Sequence, residues 1–151
     1  MKYRKLGTTD IDVSVICLGT MTFGEQNSQI DGFQQMDYAL ERGINFIDTA
    51  ELYPIMPRKE TYGKTEEIIG NWLKERGNRD KIILASKIVS KSTGLQWIRE
   101  GSSNLCFDKK NLNKAFPIPV KPTICPRSSV TIEALPKKKA TKPVSKSAVV
   151  I

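Results

Sequence analysis

The stretch that decides the fold of this chain reads GINFIDTAELY and occupies residues 43–53. Its apolar run, Ile44 to Ile47, ends on the acid Asp48, and the phenol of Tyr53 follows five residues later. A run this apolar is typical of a strand that is covered on both faces of a parallel sheet. We therefore expect Asp48 to lie at the carboxyl end of a buried strand and Tyr53 to lie in the loop after it.

A second apolar run, IILASK at residues 82–87, ends on Lys87. The carboxyl ends of parallel strands meet at one edge of a sheet, and the active sites of barrel enzymes are built from the loops there. An acid, a phenol and an ammonium group at this edge have the layout of such a site. On spacing alone the alternative stays open that Asp48 is a turn acid, Tyr53 a loop aromatic and Lys87 a solvated strand end.

Helical patterns separate the predicted strands. Ser28 and Asp31 have the spacing of a capping box, which predicts a helix over 28–42, ended by Gly43. Thr65 is expected to cap a second helix that Gly77 ends.

The amino-terminal residues predict a hairpin and a first strand. Residues 2–5 and 11–15 flank a turn, and residues 13–18 are predicted to form the strand. With the two helices, the order is βαβαβ, which is typical of a parallel sheet.

A fourth unit begins and stops. Asp108 is a plausible N-cap for a helix over 109–115, but two prolines in the following sequence FPIP, residues 116–119, prevent its continuation. The residues beyond them predict no fourth strand that would complete the unit.

Composition divides the 151 residues at the same point. The formal net charge of +8 is distributed as +2 over residues 1–115 and +6 over residues 116–151. The second part holds six of the eight prolines and none of the ten glycines. A basic, proline-rich segment without apolar periodicity is predicted to be a disordered tail.

Several classes of protein and site are not expected. Three cysteines at unrelated spacings do not suggest a disulfide framework, and a chain without histidine or a Cys-x-x-Cys pair suggests no zinc site. No apolar run reaches the length of a membrane span, and the first residues do not resemble a secretory signal. We therefore expect a cytoplasmic protein.

Residues 1–115 resemble the amino-terminal third of an aldo-keto reductase, most closely the bacterial Tas-type branch. The resemblance is carried by four stretches in the right order: YRKLG (3–7), LGTMTFGEQN (18–27), GINFIDTAELYP (43–54) and ILASK (83–87). It implies a (β/α)8 TIM barrel, present here as an amino-terminal hairpin and about three βα units. It also implies an NADPH-dependent oxidoreductase that reduces an aldehyde or a ketone to an alcohol.

The family's catalytic tetrad is Asp, Tyr, Lys and His, and the resemblance assigns three of these roles. Tyr53 would protonate the carbonyl oxygen, Lys87 would favour loss of the phenol proton, and Asp48 would pair with Lys87 and orient it. The resemblance also implies that Gly19, Thr20 and Met21, with Asp48, bind the nicotinamide end of NADPH.

The chain departs from the family in its second part. The histidine of the tetrad and the later loops that grip the cofactor's phosphates have no counterpart in this sequence. We therefore expect a truncated fragment, for instance one produced by a frameshift near residue 116, that is inactive alone.

An alternative from another class is a basic interaction or nucleic-acid-binding module. Lys137, Lys138, Lys139, Lys142 and Lys146 could contact phosphates. The tail lacks interleaved aromatic residues, so specific nucleic-acid binding is not expected. Nucleic-acid binding that weakens steeply with salt would favour this alternative.

Overall fold

The computed structural model of the chain describes residues 1–89, 94, 95, 97–99, 109–115, 120–124, 130–134 and 149–150. Its strands and helices are, in chain order, β1 (Tyr3–Lys5), β2 (Asp12–Ser14), β3 (Cys17–Gly19), α1 (Gln29–Glu41), β4 (Phe46–Asp48), α2 (Lys64–Arg76), a 3₁₀ helix (Arg79–Lys81), β5 (Ile83–Ser86), α3 (Lys109–Ala115), β6 (Val120–Ile124), β7 (Val130–Ala134) and β8 (Val149–Val150). No helix among these residues is long and apolar enough to cross a membrane.

The predicted hairpin is confirmed, but the predicted first strand over 13–18 is wrong as a single element. β1 and β2 pair antiparallel, and the chain then turns before β3 begins. The Ser14 hydroxyl donates to the Ile16 carbonyl at 2.6 Å, and the Ser14 amide donates to Asn45 Oδ1 at 2.8 Å. These two bonds end the hairpin strand, so the apolar run is shared between two sheets.

Strands β3, β4 and β5 form the parallel sheet that the apolar runs predicted. Gly19 lies opposite Asp48, and Asp48 lies opposite Ala85, so the carboxyl ends of the three strands are level. This register brings the residues that follow each strand to a single edge of the sheet.

The helix starting at the predicted capping box is confirmed. The Asp31 amide donates to Ser28 Oγ at 3.2 Å, and the Ser28 amide donates to Asp31 Oδ2 at 2.9 Å. After α1, Gly43 has a φ of +80°, a left-handed conformation that glycine adopts at little cost.

The prediction that Thr65 caps α2 is wrong, although Gly77 ends the helix as predicted. Gly63 occupies the N-cap position, and Thr65 lies fully buried in the first turn. The Thr65 hydroxyl donates to the Phe23 carbonyl at 2.7 Å, so it is used in a contact between distant parts of the chain.

Apolar side chains cover both faces of the sheet. One cluster joins α1 and α2 to the sheet; its buried members are Phe23, Phe33, Met36, Ile47, Ile68, Ile69, Trp72 and Ile82. A smaller one joins Val13 of the hairpin to Ile83, with Leu6, Ile11 and Phe46 packed against it. Neighbours on a strand point to opposite faces, so Phe46 and Ile47 serve different clusters. The result is a partial (β/α)8 barrel with its hairpin.

Helix α3 has the predicted bounds, and its predicted cap Asp108 lies outside the described residues. Beyond it, β6 pairs with β7 antiparallel. Strand β8 pairs with β5 parallel, so the sheet has a short fourth strand that the sequence did not predict. The five lysines of the basic alternative lie outside the described residues, as do the segments between these strands. The division at residue 115 and the disorder of those segments stay predictions.

Candidate active site

The ends of three strands supply the candidate site. Gly19 ends β3, Asp48 ends β4 beside it, and Lys87 directly follows β5. The loop after β4 carries Tyr53 and folds back, because the Gly63 amide donates to the Tyr53 carbonyl at 3.1 Å.

The Lys87 ammonium group makes three hydrogen bonds to its neighbours. Its Nζ donates to Asp48 Oδ1 at 2.7 Å, to Asp48 Oδ2 at 2.6 Å and to the Thr49 carbonyl at 2.8 Å. The side chains of Lys87 and Asp48 are 35% and 31% exposed. The Asp48–Lys87 contact that the resemblance implied is thus present, and the charged groups remain accessible from solvent.

Tyr53 lies against the same ammonium group. Lys87 Nζ is 4.9 Å from the centroid of the Tyr53 ring, within the range of a cation–π contact. The structure therefore brings Asp48, Tyr53 and Lys87 together, and their catalytic roles stay a prediction.

The three residues predicted to lie beneath the nicotinamide differ in their surroundings. A Cβ added to Gly19 would meet no atom within 4 Å, and Met21 is 48% exposed, so both border open space. Thr20 is fully buried, and its hydroxyl donates to the Asp48 carbonyl at 2.8 Å. Gly19 and Met21 thus border open space, whereas the Thr20 side chain holds the end of β4.

Sequence reasoning missed two residues close to this site. Glu51, two positions before Tyr53, is buried and accepts hydrogen bonds from Arg99 at 2.6 Å. A carboxylate within the matching stretch GINFIDTAELYP was a signal that could have drawn attention to Glu51. Arg99 lies 48 residues further on and had no signal in the sequence.

An open cleft of about 410 Å³ lies next to this pair. It is lined by Lys59, Tyr62, Trp97, Arg99 and Lys114. Its lining does not include Asp48, Tyr53 or Lys87, so we do not assign the reaction to it.

The thiol of Cys17 in β3 is also affected by the site. Although Cys17 is exposed, partial desolvation of its sulfur raises the pKa of Cys17 to about 11, and the Asp48 carboxylate contributes in the same direction. A thiol whose pKa is raised forms less of the reactive thiolate at neutral pH.

Glu66 of α2 lies beneath the end of β5. Its Oε1 accepts a hydrogen bond from the Ser86 hydroxyl at 2.6 Å. Burial raises the pKa of Glu66 above its ordinary value, and the hydrogen bond from Ser86 opposes this rise only in part.

We expect Glu66→Gln to stabilise the chain more at neutral than at acidic pH. Because the pKa of Glu66 is raised in the folded state, that state binds more protons than the unfolded one between the two pKa values. Stability therefore falls as pH rises through this interval. Each unit by which the pKa of Glu66 is raised corresponds to about 1.4 kcal/mol of stability lost when the carboxylate is ionised. Glutamine carries no charge, so it would regain this stability at pH values above both pKa values. Its amide oxygen would still accept the hydrogen bond from Ser86.

Urea unfolding from about pH 4 to about pH 8 measures this difference. Glu67→Gln is the matched control, because the neighbouring Glu67 is exposed and contacts Lys64 at 3.1 Å on the surface. If Glu66→Gln raised the free energy of unfolding by the same amount at every pH, the expectation would be contradicted.

Comparison with known proteins assigns the chain to a family. Residues 15–116 match the Aldo/keto reductase family. Protein tas of Escherichia coli is 47% identical over 117 residues, which are 77% of this chain and 33% of that protein. Norsolorinic acid reductase B of Dothistroma septosporum is 42% identical over 95 residues, which cover 58% of this chain and 22% of that protein.

A solved structure shows the same relationship. The holo form of an aldo-keto reductase from Bacillus halodurans is 32% identical, with a TM-score of 0.53, and the match covers 78% of this chain and 36% of that one. The chain thus spans about a third of the length of the Escherichia coli relative, with 33% of that protein covered. Its matched residues include Asp48 at the end of β4, Tyr53 in the loop after it and Lys87 directly after β5. The chain belongs to the aldo/keto reductase family.

Proposed function

We propose that this chain carries the Asp, Tyr and Lys part of a carbonyl-reducing site in an NADPH-dependent aldo-keto reductase. The observation that supports this most directly is the position of Lys87, whose ammonium group contacts both Asp48 oxygens and lies 4.9 Å from the centroid of the Tyr53 ring. The proposed substrate is an aldehyde or a ketone, and the product is the corresponding alcohol.

Each of the three side chains has a defined task in this proposal. The Tyr53 hydroxyl donates a hydrogen bond to the carbonyl oxygen of the substrate and then gives it the proton. Lys87 stabilises the phenolate that remains, and Asp48 keeps the ammonium group in place. Bound NADPH supplies the hydride for the carbonyl carbon.

The nicotinamide ring would lie at the open space beside Gly19 and Met21. A Cβ at Gly19 would have no neighbour within 4 Å, so the backbone there can approach a flat ring closely. Thr20 supports the site indirectly, because its buried hydroxyl donates a hydrogen bond to the Asp48 carbonyl and so holds the end of β4. The resemblance implies that the loops gripping the cofactor's phosphates come from later strands, and this chain covers 33% of the Escherichia coli relative.

We therefore propose that residues 1–151 alone do not reduce the carbonyl substrate. The sequence has no histidine to complete the tetrad. Hydride transfer also requires the reacting atoms to be held about 3–3.5 Å apart, and the loops that the family uses to hold the cofactor's phosphates have no counterpart in this sequence.

The test compares this chain with a completed barrel. The completed barrel is residues 1–115 of this chain joined to the part of the Escherichia coli relative that follows the matched region. We expect the loss of NADPH absorbance with 4-nitrobenzaldehyde to be undetectable for residues 1–151 and measurable for the completed barrel.

The part of the Escherichia coli protein used in that fusion, expressed alone, is the control and should be inactive. Turnover by residues 1–151 unaided would show that the proposed inactivity is wrong. A completed barrel with the circular dichroism of a folded α/β protein but no reduction would refute the proposed carbonyl chemistry.

A further inference from the structure

Glu51 and Arg99 form a buried ion pair beside the candidate site. Arg99 Nε donates to Glu51 Oε1 and Arg99 Nη2 donates to Glu51 Oε2, both at 2.6 Å. The two side chains are only 3% and 8% exposed, for Arg99 and Glu51 respectively. The geometry is bidentate, which fixes the orientation of both groups.

The pair holds the backbone that follows β5. The Val89 amide donates to Glu51 Oε2 at 2.9 Å, and Arg99 Nη2 donates to the Val89 carbonyl at 2.7 Å. The Glu51 amide in turn donates to the Lys87 carbonyl at 2.9 Å. The segment carrying Lys87 is therefore bound at two points, at Lys87 itself and two residues later.

The same pair holds the loop that follows β4. Glu51 lies two residues before Tyr53, and its Oε1 also accepts a hydrogen bond from the Tyr62 hydroxyl at 3.1 Å. Next to Tyr62, the Gly63 amide binds the Tyr53 carbonyl. The Glu51 carboxylate thus ties the two ends of the Tyr53 loop together.

The backbone conformation of Arg99 indicates that its side chain is held in one position. Its φ of +55° is in the left-handed region, which a residue other than glycine adopts only at a cost. Such a conformation persists where several contacts impose it, and Arg99 also donates to Asn111 Oδ1 at 3.0 Å. Arg99 is thus held from α3 as well as from the two site loops.

We infer that Glu51 and Arg99 are positioning residues that set the place of Lys87 relative to Tyr53. The catalytic consequence rests on the proposed function, whereas the positioning itself is a property of the folded chain. Replacing a buried ion pair by apolar groups is often neutral for stability. An effect of the pair on position is therefore separable from an effect on folding.

The first measurement uses the 151-residue chain and needs no activity. The rate of acetylation of Lys87 by an activated ester, followed by peptide mass spectrometry, reports how firmly Asp48 and Thr49 hold its ammonium group. The rate is divided by that of the exposed Lys64 in the same sample. We expect Lys87 to be protected in the unmodified chain.

Two variants remove the pair in different ways. Arg99→Lys keeps the charge and loses the bidentate fork, and Glu51→Gln with Arg99→Met removes both charges together. We expect the relative acetylation rate of Lys87 to rise about tenfold in each, because the segment that carries it opens locally. The double variant leaves no unpaired buried charge, so it is designed to keep the fold.

The matched control is Arg76→Lys. Arg76 binds Asp37 at 3.0 Å through a second bidentate pair, but that pair is exposed and, within the described part of the chain, contacts neither site loop. This control should leave the rate at Lys87 unchanged. A folded double variant in which Lys87 stays as protected as in the unmodified chain would overturn the inference, as would an unmodified chain in which Lys87 reacts as fast as Lys64.

Activity of the completed barrel separates this inference from the proposed function. With the pair removed, we expect kcat to fall about tenfold or more while KM for the aldehyde changes little, since misplacement affects the reacting geometry. An inactive completed barrel would refute the proposed function and leave the acetylation result standing. Unchanged kcat in variants with a faster-reacting Lys87 would overturn the catalytic part of the inference.

Discussion

In the completed barrel, Tyr53→Phe is expected to lower kcat for 4-nitrobenzaldehyde by about 10²- to 10⁴-fold, the usual contribution of a positioned general acid. The substitution removes the hydroxyl and keeps the ring, so the cation–π contact with Lys87 at 4.9 Å is retained. Among the residues that the structure describes with side chains, no hydrogen bond binds the Tyr53 hydroxyl, so its loss should leave the fold intact.

Steady-state kinetics with NADPH in excess measures this effect, and KM for the aldehyde should change much less than kcat. Tyr38→Phe is the matched control, because Tyr38 is 59% exposed on α1 and its ring contacts Arg42 in the same way. Retention of kcat by Tyr53→Phe would exclude Tyr53 as the proton donor, even if the completed barrel is active.

The largest effect on stability is expected from Trp72→Ala. Trp72 is fully buried in the cluster between the helices and the sheet, and its Nε1 donates to Asp37 Oδ1 at 2.7 Å. Removing the indole leaves a cavity that α1 and α2 can close only in part. We expect a loss of about 3–5 kcal/mol in the free energy of unfolding.

Urea unfolding followed by circular dichroism measures this loss in the 151-residue chain. Trp97→Ala is the matched control, since Trp97 is only partly buried, in edge-to-face contact with Tyr62 at 5.6 Å. It should cost less than half as much, because less apolar area is removed from contact. Equal losses for the two variants would show that the cluster around Trp72 is not the centre of the core.

Local patterns in the sequence predicted much of the framework. The apolar runs ending on Asp48 and Lys87 located two strands of the parallel sheet, and Ser28 located the start of α1. The bounds of α3 were predicted to the residue. These features depend on interactions within a few residues, such as caps, prolines and side-chain periodicity, so they can be read from the order of residues.

Two errors, at Thr65 and at Ser14, came where a side chain forms a hydrogen bond with a distant partner. Thr65 has a residue type suited to an N-cap, but its hydroxyl binds the Phe23 carbonyl, 42 residues away. Ser14 interrupts an apolar run because it binds Asn45, 31 residues away. In each case a long-range hydrogen bond outweighed the local preference.

The sequence by itself determined which residue types stand at the strand ends, and the resemblance named their tasks. Only the tertiary structure decided that the Lys87 ammonium group contacts both Asp48 oxygens, and that Glu51 is paired with Arg99, 48 residues away. Contacts of this kind form when the sheet and loops close around them, and the buried charges of Glu51 and Arg99 must find partners there because water no longer solvates them. The sequence shows which charged residues are present, whereas the packing of the chain determines which of them form ion pairs.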